Sequence, residues 1–300
     1  MSFEIIDVYL SDCEVKGFAT TTIRTKRMIL QSFSDWLKLN GNNVERVNVL
    51  TMQKYILFKR NEGLKNVTIN NIIKVLKVFF KWCIEMEIYK INPMDKISKL
   101  HEPKTMIKTF TDKDIKRMVG FYSGGGYYPT RNKTMIVLLV ETGIRSNELI
   151  NIKLDDIMSN AIKIHGKGNK DRVVPISNHL KKQLFKYLRV REKYAHARTT
   201  KATSYKVQNN PYLFVNKLGN KLGSKIPLRV LQKCGEDIEV DLLVHSLRRY
   251  YIQKMNEHTD LFTIMKLVGH DSIETTQIYL NSTVDEKILA KGLNSPLNNI

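Results

Sequence analysis

Apolar residues recur at helical spacing through most of the first hundred positions of this 300-residue chain. The pattern predicts three amphipathic helices, at 20–39, 50–60 and 68–87. Glycine, asparagine or proline follows each of them and ends the helical pattern. Lysines fill much of the outer face of 68–87, so we predict a compact helical bundle with a basic surface.

A polar stretch separates this bundle from the rest of the chain. After the third helix the apolar periodicity lapses, and proline and several lysines take its place. We therefore predict a helical domain at 1–103, a linker at 104–110 and a second domain at 111–300. Thr111 begins the second domain with a capping-box pattern, because Asp114 stands three residues on.

The second part of the chain mixes helical and strand patterns. Residues 131–142 and 261–268 are predicted to be apolar helices, each ended by a glycine. Residues 162–164 and 172–176 have the alternation of strands, and the basic, glycine-containing segment between them predicts the turn of a hairpin. The polar segment 196–211 is expected to be a surface loop. The fold class that follows is mainly α with a small β-sheet.

Charge narrows the choice of partner. The 49 lysines and arginines exceed the 29 acidic residues by 20, and a globular chain this basic typically binds a polyanion such as nucleic acid. No apolar run reaches membrane-spanning length and no secretory leader pattern is present, so we expect a cytoplasmic protein with no membrane partner. Cys13, Cys83 and Cys234 have no metal-binding spacing and are expected to be reduced thiols.

Candidate chemistry is concentrated near the C-terminus. His245 and Arg248 are three residues apart and share one face of a helix. On one unbroken helix, His270 and Tyr279 would lie on opposite faces, but a helix break at Gly269 removes that constraint. A lone tyrosine is more often an ordinary packed aromatic. Cations beside a single tyrosine are nevertheless what phosphoryl transfer to a phenol requires.

Two further cations stand earlier in the chain. Gly143 allows a sharp turn that can hold Arg145 at a corner between helices, with Glu148 placed to orient it or to cap the helix; alone, this is most simply a structural Arg–Glu pair. Lys167, in the hairpin turn, can contact a DNA groove or donate a proton to a leaving oxygen, and Lys170 is an equally basic alternative. The sequence has no Walker loop, carboxylate cluster or Cys/His metal set, so we expect phosphate chemistry that uses side-chain cations, with no metal or cofactor.

Four segments together resemble the tyrosine recombinase (phage integrase) family and are closest in layout to the Xer-type recombinases. They are TGIRSNEL at 142–149, HGKGNKDRVVPI at 165–176, HSLRR at 245–249 and LVGHDSIETTQIYL at 267–280. The first hundred residues are similar to the family's helical, SAM-like core-binding domain, so the resemblance spans nearly the whole chain. It implies a mixed α/β catalytic domain, and two domains that clamp double-stranded DNA.

The resemblance also implies what the candidate residues do. The tyrosine would attack the scissile phosphate, the two arginines would hold its non-bridging oxygens, and the lysine would protonate the leaving 5′ oxygen. The two histidines would assist by proton handling and hydrogen bonding. The product would be a 3′-phosphotyrosyl link that conserves the bond energy, so no ATP, metal or cofactor is implied. The implied catalytic set is Arg145, Lys167, His245, Arg248, His270 and Tyr279.

Three functions remain open at this point. A site-specific recombinase would exchange strands between two paired DNA core sites as a homotetramer in the bacterial cytoplasm, on the nucleoid when DNA-bound. Its tail at 284–293 would dock on a neighbouring subunit or fold on its own domain. A type IB topoisomerase-like enzyme would cleave and religate as a monomer without strand exchange, and a non-catalytic DNA-binding protein would need no catalytic set. The tail and the two-domain length favour the first, with integration, excision, resolution and inversion as alternative roles.

Overall fold

The chain divides into two compact units, Met1–Thr105 and Met106–Ile300. The computed structural model describes residues 2–102, 110–166, 170–196, 207–238 and 244–270. Four features predicted from the sequence lie outside these described residues: the linker at 104–110, apart from Phe110, then Lys167, the helix start at Asp271, and Tyr279.

The described part of the first unit is helical. The three helices predicted from the apolar pattern are confirmed close to their expected bounds, and a further helix precedes them. The elements are α1 (Ser2–Val15), α2 (Thr20–Leu39), a 3-10 turn (Val44–Arg46), α3 (Val49–Asn61) and α4 (Asn66–Glu85).

The apolar faces of these helices form the core of the first unit. Phe33 and Leu37 of α2 are fully buried, as are Leu76 and Phe80 of α4. Tyr55 of α3 packs edge-on against Phe33, with ring centroids 4.8 Å apart. Burial of a large apolar side chain contributes roughly 1.5–3 kcal/mol, so these contacts between helices hold the unit together.

In its described residues the second unit combines helices with one hairpin, which confirms the predicted fold class. Its strands pair antiparallel from Ala161 opposite Pro175 to Ile164 opposite Arg172. The elements are α5 (Asp112–Phe121), α6 (Tyr127–Thr142), α7 (Ser146–Asn151), a 3-10 turn (Leu154–Asp156), β1 (Ala161–Ile164), β2 (Arg172–Pro175), α8 (Asn178–His196), α9 (Ile226–Ile238), α10 (Val244–Met255) and α11 (Leu261–Val268).

The predicted capping box at the start of this unit is present. The backbone N–H of Asp114 donates to Thr111 Oγ1 at 3.2 Å, and the backbone N–H of Thr111 donates to Asp114 Oδ2 at 2.9 Å. Each bond pairs a backbone donor at the start of α5 that has no partner within the helix. The predicted loop at 196–211 lies for the most part outside the described residues.

Helix α6 is the central helix of the second unit. Its residues 134–139 are buried on every side, and it packs against α5, α8 and α10. It ends at Gly143, whose φ of +59° is left-handed. A Cβ at Gly143 would also lie 2.9 Å from Cγ of Tyr251 on α10. Glycine is therefore required at this position for two reasons, the backbone conformation and the lack of space for a side chain. The turn after α6 lies directly against α10.

None of the described helices combines the length and the apolar content that a bilayer crossing requires. Cys13, Cys83 and Cys234 are buried and form no disulfide.

Candidate active site

Arg145 lies at the corner between α6 and α7, as its position after Gly143 predicts. It immediately precedes α7, and its backbone N–H donates to Glu148 Oε2 at 2.8 Å. Its guanidinium also donates, through Nη1, to Glu148 Oε1 at 2.9 Å. Glu148 therefore has both of the functions expected for it: it caps α7 and it orients Arg145.

Glu148 also pairs with a second arginine. Arg172, the first residue of β2, donates to both carboxylate oxygens of Glu148, at 3.0 and 2.8 Å. Burial alone would raise the pKa of Glu148, but the hydrogen bonds and charge of Arg172 and the bonds from Arg145 outweigh it and lower the pKa to about 2. Glu148 is therefore ionised at neutral pH and fixes both guanidiniums.

Three consecutive carbonyl groups at the C-terminal end of α11 each accept a hydrogen bond from a different arginine. The last carbonyls of a helix lack partners within the helix and form its partially negative end, so cationic donors are favoured there. The helix end thus gathers three positive charges at one place. The pairs are Arg172 Nε to Leu267 O at 2.8 Å, Arg248 Nη2 to Val268 O at 2.5 Å and Arg145 Nη2 to Gly269 O at 3.0 Å.

Arg248 connects this helix end to the turn after α6. Besides its bond to Val268, its Nη1 donates to the carbonyl oxygen of Gly143 at 2.8 Å, and the residue is only 3% exposed. The side chain of Arg145 is 39% exposed. Among the contacts of the described residues, Arg145 uses two of its five side-chain N–H groups. Arg145 can therefore contact an anion from its present position, whereas Arg248 lies deeper.

The two candidate histidines adjoin these arginines. His245 is the second residue of α10, about one turn before Arg248, and it keeps solvent access. Desolvation of its ring, followed by the positive charges of Arg248, Arg249 and Arg145, lowers the pKa of His245. His270 directly follows the carbonyl that Arg145 contacts, and its backbone N–H donates to Met265 O at 3.1 Å.

The structure therefore gathers four of the predicted residues around the end of α11, namely Arg145, His245, Arg248 and His270. Lys167 and Tyr279 lie outside the described residues. Arg172 is an addition to the predicted set. Its only signal in the sequence is its place at the start of the second strand, and its partners Glu148 and Leu267 are far away in the chain.

The depressed pKa of Glu148 predicts a pH-dependent stability. Its folded-state pKa of about 2 lies below the ordinary 4.5, so the stabilisation is fully present above pH 4.5 and is lost as the pH falls towards 2. A difference of this size corresponds to about 3 kcal/mol of unfolding free energy. We expect Glu148→Gln to unfold at lower temperature than wild type at pH 6, and the gap between their melting temperatures to narrow to less than half as the pH falls to 3.

The measurement is thermal unfolding of the full chain, followed by circular dichroism across this pH range. Glu192→Gln is the matched control, since Glu192 is an exposed residue of α8, and it should follow wild type at every pH. A gap between wild type and Glu148→Gln that is the same at pH 6 and pH 3 would contradict the prediction.

Comparison with known proteins shows which family the chain belongs to. The chain matches the phage integrase family over residues 108–286 and the phage integrase N-terminal SAM-like domain over residues 6–87. It is 30% identical over 289 residues to tyrosine recombinase XerA of Pyrococcus horikoshii. The aligned region covers 93% of this chain and 90% of that protein.

Two solved structures share the fold. One is the XerH site-specific recombinase bound to a palindromic difH substrate, with a TM-score of 0.72, 20% identity and coverage of 91% of this chain and 79% of that one. The other is a lambda integrase tetramer bound to a Holliday junction, with a TM-score of 0.68, 14% identity and coverage of 92% and 76%.

The chain therefore belongs to the phage integrase family and is a tyrosine recombinase, an enzyme that recombines DNA site-specifically. Within that family it is similar to the Xer recombinases. The family, the fold class and the enzyme class predicted from the sequence are confirmed.

Proposed function

We propose that Tyr279 is the nucleophile of this recombinase and that Arg145 and Arg248 bind the scissile phosphate. The phenol oxygen of Tyr279 bonds to phosphorus, and the bond from phosphorus to the 5′ oxygen breaks. Lys167 protonates that 5′ oxygen, with Lys170 as the alternative donor. The resulting 3′-phosphotyrosyl link conserves the energy of the broken bond, and a 5′-hydroxyl of the partner strand reverses the step.

The observation that carries this proposal is the joint anchoring of Arg145 and Arg248 at the end of α11. Their guanidiniums donate to the adjacent carbonyls of Gly269 and Val268, so both are held before any substrate binds. Donors that are fixed in advance stabilise developing charge without reorganisation during the reaction. His270 follows these carbonyls directly in the chain, and Tyr279 is nine residues further on.

The histidines are assigned to proton handling. The lowered pKa of His245 makes its neutral form predominate at neutral pH, and a neutral imidazole can accept a proton as the tyrosine attacks. His270 is assigned a hydrogen bond to the phosphate. Both roles are supported by the position of these residues beside Arg145 and Arg248.

We further propose that four copies act together on two paired DNA core sites. The tail at 284–293 then docks on a neighbouring subunit, and no metal or other cofactor takes part. The protein is assigned to the cytoplasm and, when DNA-bound, to the nucleoid. The three buried cysteines without disulfides are consistent with a reducing compartment, and the basic charge of the chain suits a DNA partner.

The proposal is tested with a DNA site nicked beside the cleavage position, so that cleavage releases a short fragment and traps the enzyme. We expect a covalent protein–DNA species that survives SDS, followed by strand exchange when two intact sites are mixed. Relaxation of supercoiled DNA without strand exchange would identify type IB topoisomerase-like activity in place of recombination. No covalent species on the protein's own footprinted site would contradict the proposed chemistry.

A further inference from the structure

The imidazole of His165 lies between two carboxylates. Its Nε2 is 3.0 Å from Asp156 Oδ1, and its Nδ1 is 3.0 Å from Asp171 Oδ2. Asp171 also forms an ion pair with Lys163, whose Nζ lies 3.1 Å from Asp171 Oδ2. Within the described residues, none of His165, Asp156 and Asp171 bonds to the carbonyls at the end of α11 that hold the arginines.

The three residues belong to different parts of the fold. His165 directly follows β1 and Asp171 directly precedes β2, so they form the rung beyond the last paired residues of the hairpin. Asp156 ends a 3-10 turn and is buried, and its second oxygen accepts the backbone N–H of Lys153 at 2.8 Å. His165 therefore joins both ends of the segment 166–170 to a buried, independently fixed carboxylate.

The segment that these contacts close contains both candidate general acids, Lys167 and Lys170. Its two described ends lie close together, since any Cβ at Gly166 would collide with the carbonyl oxygen of Lys170. The side chains of His165 and Asp171 are 40% and 35% exposed. Polar side-chain contacts with this much exposure add little to global stability, so their main effect is to hold the flanking residues Gly166 and Lys170 in place.

We propose that His165 is a positioning residue for the leaving-group proton, because it holds both ends of 166–170 against Asp156. This inference rests on the proposed function, in which a lysine of that segment protonates the 5′ oxygen as the bond from phosphorus to oxygen breaks. His165 itself touches no reacting atom. A general acid displaced by about 1 Å loses much of its effect, which can reach 100-fold in rate.

The test compares two nicked substrates in single-turnover cleavage. One has the ordinary 5′ oxygen at the scissile phosphate, and the other has sulfur in that bridging position. With sulfur, the bond from phosphorus to sulfur breaks and a thiolate leaves without needing a proton. A defect in the general acid is therefore relieved by sulfur, whereas a defect in folding, DNA binding or the nucleophile is not.

We expect His165→Ala to cleave the oxygen substrate roughly 10- to 100-fold more slowly than wild type, and the sulfur substrate at close to the wild-type rate. His165→Asn and His165→Gln each keep an amide that can replace one of the two contacts, and they should be intermediate on oxygen. The control is His179→Ala, because His179 is also an exposed histidine that contacts a carboxylate, with Nδ1 2.6 Å from Glu141 Oε1. It should match wild type on both substrates.

Equal slowing of His165→Ala on oxygen and sulfur, or wild-type rates on both, would overturn the positioning role. The lysine assignment is tested separately by Lys167→Ala and Lys170→Ala. If sulfur rescues neither, the proposed general acid is wrong whatever His165 does. If sulfur rescues one of them but His165→Ala shows no oxygen-specific defect, the general acid stands and the positioning role fails.

Discussion

Replacing Tyr279 with phenylalanine is expected to abolish the covalent protein–DNA species while DNA binding remains. The substitution removes one hydroxyl group, the proposed nucleophile, and leaves the phosphate-binding arginines in place. Loss of the nucleophile in a covalent mechanism costs at least about 10⁴-fold in rate, so the phosphotyrosyl product should fall below detection on a nicked substrate. The measurement is an SDS gel with end-labelled DNA, alongside a binding assay on the same site.

Tyr251 provides the sharpest control for this experiment. Tyr251 packs against the turn at Gly143, and the positive charges of Arg172 and Arg248 favour its ionised form. Burial nevertheless raises the pKa of Tyr251, and the residue is only 6% exposed, which makes it a poor nucleophile. Tyr251→Phe should still form the covalent species. A covalent product from Tyr279→Phe, or its loss only in Tyr251→Phe, would refute the assignment.

Removal of either phosphate-binding arginine is the second large effect expected. Loss of a fixed donor to a developing anion costs about 10²–10³-fold in rate, so Arg145→Ala and Arg248→Ala should both suppress cleavage while DNA binding survives. They should differ in stability. Arg248→Ala leaves the carbonyls of Gly143 and Val268 without their donor, and an unpaired buried polar group costs about 1–3 kcal/mol.

Arg145→Ala should be milder in stability, because Glu148 keeps its two bonds from Arg172. The lysine variants Arg145→Lys and Arg248→Lys keep the charge but lose the planar fork, so partial activity is expected from each. Arg189→Ala is the matched control, since it removes an exposed arginine from α8. Cleavage rates on the nicked substrate and melting temperatures separate the two effects. Loss of DNA binding in both alanine variants would identify the arginines as DNA anchors instead.

The elements that sequence periodicity predicts well here are those with one apolar face or a clear end signal. Helix α2 has its predicted bounds because its apolar residues repeat regularly, and α11 because Gly269 ends it in the left-handed conformation. The turn at Gly143 is predictable because this glycine also ends a helix in the left-handed conformation. The local sequence therefore predicts that Arg145 and Glu148 lie at the corner between α6 and α7.

Contacts between distant parts of the chain were not predictable in this way. Nothing local to Arg172 indicates that its guanidinium bonds both Glu148 and the carbonyl of Leu267, because those partners are 24 and 95 residues away. The contact of His165 with Asp156 likewise depends on how β1 packs against the preceding 3-10 turn. Such pairs arise from tertiary packing, whereas the periodic signal reports only which face of an element is buried.

Locating the adduct in the trapped complex shows whether Tyr279 becomes covalently joined to DNA. The trapped complex is digested with nuclease and trypsin, and the nucleotide-bearing peptide is identified by mass spectrometry. Cleavage after Lys266 and Lys287 gives peptide 267–287, in which Tyr279 is the only tyrosine, whereas Tyr250 and Tyr251 fall in peptide 250–254. We expect the nucleotide on Tyr279 in peptide 267–287; a nucleotide on 250–254 or on any other peptide would show that Tyr279 is not the nucleophile.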